Sequence, residues 1–396
     1  MARTNDRPPE GLRTDAVAGC GARHRPGRIR GALSRVRRRA VRARPAWLAS
    51  RVPAPRRTHK AAGAVSGGRS GPSGAGRSNR DALGPDGGAL DLGRFGFNAP
   101  VAPGGYRWLY ADAVSDDGRF SLVLIALIGS VFSPYYAWAG RKTPLDHCAL
   151  NVCLYGPGVT RWAMTERRAG AVTASADTLE LGPSRVRFED GALIYDIEEH
   201  GAPLPRPVRG QVVIRPEIEQ SKTFTLDKDG RHVWRPVWPR ARVEAQFDDP
   251  QLSFQGDGYV DMNAGAEPLE RAFSSWNWSR APLEDGAAIL YDSIWPDDGE
   301  RSLSLRIDSA GKAEPFEAPP VRDLPKVRWG VARETRSDGE ARVLKTLEDT
   351  PFYSRSLVET DLLGGRRVFM HESLDLKRFS SSWVKCLLPF RMPRAF

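Results

Sequence analysis

The sequence predicts an all-β protein of sandwich or barrel type, and three observations carry that prediction. From Gly105 onward the chain breaks into strand-length runs of β-branched, aromatic and aliphatic residues. Turn signals such as SDDG, GPG, EDG and KDG punctuate them at short intervals. No stretch sustains a long helical period and strands do not alternate with helices, which excludes a doubly wound parallel sheet. The runs form two series over roughly 300 residues, enough for two antiparallel barrels.

The first series is expected at residues 106–110, 121–132, 149–155, 161–165, 178–182, 184–189, 191–198 and 210–215. Its longest apolar run, LVLIALIGSVF at 122–132, falls well short of the ~18 residues of a membrane-spanning helix and reads as a buried strand. Pro203, Pro205 and Pro207 mark a break. The second series includes 243–247, 252–255, 287–295, 302–308, 327–334, 352–360 and 365–374. This divides the chain into a β domain at 96–250, a second at 251–378 and a tail at 379–396, with the link at 248–250 turning from one domain to the next. In the tail, Lys385, Arg391 and Arg394 interleave with Trp383, Leu387, Leu388 and Phe390 and no acid follows Asp375. Its plain reading is a last strand with a loose end, and its functional reading is a patch that touches a membrane.

Residues 1–95 are rich in Arg, Gly, Ala, Pro and Ser and carry too little apolar surface to offset the entropy of ordering, so disorder is expected. The Arg cluster within them is not followed by an apolar run, which argues against a signal peptide. A tether to anionic lipid is their functional alternative. They also explain the charge. The chain is +11 overall, but residues 1–80 contribute +17, leaving the remainder at −6. A mildly acidic β region gives no footing for nucleic acid. Four cysteines show no paired framework, so a reducing, cytoplasmic setting is expected.

Motifs for serine hydrolysis, zinc proteolysis and dinucleotide binding are absent from the sequence. His147, Cys148 and Cys153 suggest a metal, but an odd offset puts the two cysteines on opposite strand faces, so no metal site is expected. Any chemistry must come from side chains. Two pairs stand out, His232 with Trp234 and Tyr259 with Asp261, each two residues apart and so on one face of its strand. Pro236 and Pro239 cannot donate to a central ladder, which predicts that the His232 strand ends at an edge or rim. Trp238, Trp276, Trp278, Tyr135 and Tyr136 belong to aromatic clusters that either fill barrel interiors or line a cavity for a long apolar ligand. A buried Asp261 would favour its neutral form, whereas a surface Asp261 would do nothing. Spacing alone ends at a two-barrel protein for an apolar ligand.

The stretches VSDDGRFSLVLIALIGSVFSPYYAWAGR, DHCALNVCLYGPGVTRWAMTERR and GYVDMNAGAEPLERAFSSWNWSRA closely resemble the carotenoid 1,2-hydratase (hydroxyneurosporene synthase) family. The likeness runs from about residue 105 to 376 and leaves the first 95 residues without a counterpart. It implies two lipocalin-like β-barrel domains and a cofactor-independent lyase. That lyase would add water to the terminal C1=C2 bond of an acyclic carotene such as neurosporene or lycopene. It also implies an acid/base role for a His-x-Trp and a Tyr-x-Asp element, which here are His232, Trp234, Tyr259 and Asp261. On that basis Asp261 would protonate C2, Trp234 and Tyr259 would line the C1 cation, and His232 would orient or deprotonate the water. A carotene outreaches one small barrel, so peripheral contact with the carotenoid-bearing membrane is expected. The rival reading is a non-catalytic lipocalin-like carrier of carotenoids or other apolar ligands.

Overall fold

The computed structural model describes residues 95–395, so the disorder and tether expected of residues 1–94 lie outside the described residues. Strands β1 (Tyr106–Ser115), β2 (Ser121–Ile128), β3 (Cys148–Tyr155) and β4 (Arg161–Arg167) form an antiparallel meander. Shorter strands follow: β5 (Val172–Ala174), β6 (Thr178–Leu181), β7 (Ser184–Glu189) and β8 (Ala192–His200). Strands β9 (Pro207–Ile218), β10 (Phe224–Thr225), β11 (His232–Asp249) and β12 (Leu252–Gly265) complete a 12-stranded sheet in the order β4-β3-β2-β1-β12-β11-β9-β8-β7-β6-β5, with β10 on β11. Ala163 on β4 bridges to Gly201 just beyond β8, so the sheet curls into a nearly closed barrel. Leu124, Leu150, Tyr195, Val212, Val243 and Val260 pack inside it.

The second sheet holds β13 (Ser275–Leu283), β14 (Gly286–Ile294), β15 (Glu300–Asp308) and β16 (Ala313–Pro315). After the ribbon of β17 (Val321–Leu324) and β18 (Arg333–Arg336) come β19 (Ala341–Asp349), β20 (Tyr353–Leu362) and β21 (Gly365–Asp375). Its order is β16-β15-β14-β13-β21-β20-β19. One face packs Leu324 of the ribbon with Val358, Leu362 and Phe369. The other packs against the outer face of the barrel, where Trp234, Tyr259, Trp278, Ile289 and Leu374 share one core. Strands at this junction are therefore buried on both faces, and all eight residues of β3 are buried. Cys148 faces the barrel interior and Cys153 the junction, the opposite faces that their offset dictates.

Four expectations need correction. The link at 248–250 closes the β11–β12 hairpin of the barrel and does not lead to a second domain, because β12 pairs with both β11 and β1. The changeover between sheets falls after Gly265, beyond the boundary expected at residue 250. The His232 strand is central, between β12 and β10. Its prolines are tolerated because the β11–β12 register slips between Arg235 and Trp238 and again between Trp238 and Ala241, two bulges where no ladder donor is needed. The tail is helical rather than a strand. Helices at Leu376–Phe379 and Ser382–Leu387 bury Val384, and Leu388 and Met392 follow them into the junction core. Ala395 and Pro393 then bond the backbone of Glu166 on β4, tying the chain end to the barrel.

Candidate active site

Asp261 lies in the buried half of β12 on its junction face, with Tyr110 of β1 directly opposite in the ladder. Period-two alternation sets Tyr259 and Asn263 beside it, while Val260, Met262 and Ala264 turn into the barrel. On the other flank β11 pairs Trp234 with Asn263, which brings the indole within reach of the carboxyl. Oδ2 of Asp261 accepts hydrogen bonds from Trp234 Nε1 at 2.9 Å and Tyr259 Oη at 3.0 Å. Oδ1 has no hydrogen-bond partner among the described residues. Burial pushes this carboxyl up to about 8, outweighing the two donors that favour the anion. Burial thus favours the neutral acid, and Oδ1 is the oxygen left free of other donors to carry the proton.

The second sheet supplies the facing wall. Tyr291, Trp278, Glu372 and Arg355 stand in register across β14, β13, β21 and β20. The Trp278 ring lies 5.3 Å from Tyr259 and 5.4 Å from Tyr110, and Tyr291 lies 5.6 Å from Trp234. Between the sheets is a cavity of about 40 Å³, bounded by Asp261, Asn263, Trp108, Tyr110, Trp276, Trp278, Tyr291 and Glu372. Four of these residues, Trp108, Tyr110, Trp276 and Glu372, also line a cavity of about 410 Å³. Its further walls are largely apolar, including Ile125, Leu127, Phe352 and Leu374, and the tail contributes Val384, Leu387, Phe390 and Met392. The pair Arg280 and Asp112, both buried, ties β13 to β1, with Arg280 Nε donating to Asp112 Oδ1 at 3.0 Å.

The structure brings Asp261, Tyr259, Trp234, Trp276 and Trp278 together and separates the other expected residues. His232 shares a strand face with Trp234 but sits one repeat further along, opposite Gly265, and lines neither cavity. Its Nδ1 bonds Tyr106 Oη at 2.9 Å, its backbone N–H donates to Asp227, and burial holds its pKa down to about 4. A Cβ at position 265 would stand 2.3 Å from the Tyr106 ring and 2.7 Å from His232 Nδ1, so glycine there admits the Tyr106–His232 contact. Tyr106 in turn stacks on Trp108 at 4.8 Å, and Phe273 lies between His232 and Trp276, at 5.0 Å from the imidazole and 5.6 Å from the indole, so His232 reaches the site through intervening rings.

Trp238 points into the barrel, edge-on to Phe95 at 5.4 Å, because the bulge before it reverses the side that its four-residue spacing from Trp234 would predict. Its role is packing, and Trp238→Ala should lower stability by about 3 kcal/mol in chemical denaturation. Tyr136 is buried away from the cavity with its hydroxyl donating to Gly105 O at 2.9 Å. Tyr135 packs edge-on to Trp138 and under Arg394. Tyr291 belongs to the clustered aromatics of the sequence, whereas spacing missed Trp108, Tyr110, Asn263 and Glu372. Only Asn263 carried a local signal, as the next step of the Tyr259–Asp261 alternation. Among the described residues no cluster of His, Cys, Asp and Glu is placed to hold a metal ion.

Residues 124–396 match the family model for the carotenoid hydratase CrtC. The chain is 44% identical over 378 residues to the acyclic carotenoid 1,2-hydratase of Thiocapsa roseopersicina, covering 94% of this chain and 93% of that one. That span reaches into the segment before residue 95, which was expected to have no counterpart. It is 45% identical over 306 residues to the acyclic carotenoid 1,2-hydratase of Rubrivivax gelatinosus, 75% of each chain. The Cereibacter sphaeroides enzyme of the same name is 42% identical, with 68% of this chain covering 98% of that one. The crystal structure of an AttH candidate from Nitrosomonas europaea superposes with a TM-score of 0.51 at 14% identity, covering 74% of this chain and 100% of that one. That likeness speaks to the lipocalin-like fold alone. With its family model and its relatives in agreement over most of its length, the chain belongs to the carotenoid hydratase family.

Proposed function

We propose that the chain adds water across the terminal C1=C2 bond of an acyclic carotene such as neurosporene or lycopene, as a hydro-lyase. The observation that carries this reading is a carboxylic acid kept protonated by burial, in an aromatic cavity beside a long apolar one. The Asp261 proton passes from Oδ1 to C2, and the alkene's electron pair forms the new C2–H bond. Oδ2 stays held by Trp234 and Tyr259, donors that bind the carboxylate more tightly as charge develops on it. The tertiary cation left at C1 faces the π systems of Trp276 and Trp278, and water closes the reaction as a tertiary alcohol. The proton inventory balances with side chains and water, so no cofactor is required. Expression in a host that accumulates lycopene or neurosporene tests the reading, with mass analysis for the gain of one or two waters. Carotene recovered unchanged favours the carrier instead.

The rest of the polyene would extend along the larger cavity towards the tail. There Phe390 is 71% exposed, Trp383 and Trp329 are each 47% exposed, and the latter two rings stack at 6.3 Å. Lys385 and Arg391 flank these rings, an interfacial composition. No helix among the described residues is long and apolar enough to cross a membrane. Peripheral contact through this surface would let a lipid-dissolved carotene enter directly. The protein should sediment with phosphatidylglycerol-containing vesicles and be released by detergent. Trp383→Ser and Phe390→Ser should each lower the partition about tenfold, as the burial of one aromatic ring requires. Unchanged partition in both variants would remove this surface from the account.

A further inference from the structure

We infer that Glu372, not His232, is the base that takes the proton from the attacking water. The inference rests on the hydration reading above and assigns its second half. Asp261 and Glu372 are the two carboxyl groups in the wall of the smaller cavity, one from each sheet. Glu372 also lines the larger cavity, and its side chain is 13% exposed, so water reaches it from the channel side. Its Oε1 accepts from Tyr110 Oη at 2.9 Å and from Arg355 Nε at 2.8 Å. Tyr110 is also the ladder partner of Asp261, so the two carboxyls stand on either side of one tyrosine.

A plain ion pair with Arg355 accounts for one of these bonds but not for the placement of a second carboxyl group in the wall of the small cavity that holds Asp261. His232 lines neither cavity, and the rings of Tyr106 and Phe273 stand between it and the cavity wall. The step balances as follows. A water lone pair forms the C1–O bond, an O–H bond of the resulting oxonium breaks, and its proton moves to the Glu372 carboxylate. Asp261, left as carboxylate by the first transfer, regains a proton through water as Glu372 releases its own. Arg355 and Tyr110 hold Glu372 Oε1 in place between turnovers.

The groups facing Glu372 are Tyr110 and Asp112 of β1, Asp261 of β12, Tyr291 of β14, and Tyr353 and Arg355 of β20. The test uses the full chain with lycopene in detergent micelles, comparing the parent with Glu372→Gln and Asp261→Asn. Glu372→Gln should lose about 10²–10⁴-fold in turnover and still bind the carotene by its absorbance shift. Added azide, a nucleophile with no proton to shed, should restore turnover as an azide adduct at C1. The assignment is overturned if Glu372→Gln hydrates within a few-fold of the parent. It is equally overturned if the variant is inactive and azide yields no adduct, because the residue is then structural. Hydration surviving in Asp261→Asn would instead sink the underlying reading, whatever Glu372→Gln does.

Discussion

Replacing Asp261 with asparagine should reduce carotene hydration by about 10²–10⁴-fold, the usual contribution of a positioned general acid. The variant is nearly isosteric, and its amide oxygen can still accept from Trp234 and Tyr259 as the Asp261 Oδ2 does now. What it loses is the proton. Binding of the carotene should therefore persist while turnover collapses, a fall in kcat with KM held within a few-fold. The parent's own pH profile should report the same group. Asp261 must be protonated to act, so activity present at neutral pH should decline as pH rises through about 8. A parent whose rate holds steady to pH 10, or an Asp261→Asn variant with near-parent turnover, would show that the proton comes from elsewhere.

How far this site was legible in the sequence follows from what is local. Tyr259, Asp261 and Asn263 share a face because strand periodicity is two, and nothing further along the chain can alter that. His232 and Trp234 obey the same rule, yet two residues span roughly 6.6 Å of strand, enough to bond one ring to the Asp261 carboxyl and the other to Tyr106 instead. Trp238 was misplaced because a bulge reverses faces, and Pro236 and Pro239 signal a ladder defect without saying that the strand continues beyond it. The second sheet was harder still. Glu372 sits in FMHESLDL, a stretch with no catalytic pattern, and it meets Asp261 only because two sheets pack face to face. Strand β19, ARVLKTLED, was not foreseen because its apolar residues break the period-two alternation and it lies at one edge of its sheet. The tail defied prediction for a related reason, since its apolar residues fill the junction core and no period within it announces that partner.

The same substitution makes a second large prediction, on stability rather than rate. In the unfolded chain Asp261 ionises near its ordinary value of 3.8, whereas in the folded protein it holds its proton to about 8. Between those values the native state binds one more proton than the unfolded state, so raising the pH must weaken the fold. The limiting slope is about 1.4 kcal/mol per pH unit for one such group. This contribution is fully present below pH 4 and lost once pH passes 8. Asparagine cannot ionise and escapes the penalty. Denaturation of parent and Asp261→Asn across this window should therefore give a difference that grows in favour of the variant with rising pH and levels off above about 8. Other titrating groups are common to both proteins and largely cancel in the difference. A gap that stays flat from pH 4 to 9 would mean that Asp261 is already ionised at neutral pH, and the burial that makes it an acid could not then be the origin of its chemistry. Loss of turnover accompanied by gain of stability at alkaline pH would identify Asp261 as a group whose neutral form is maintained for reaction at the expense of the fold.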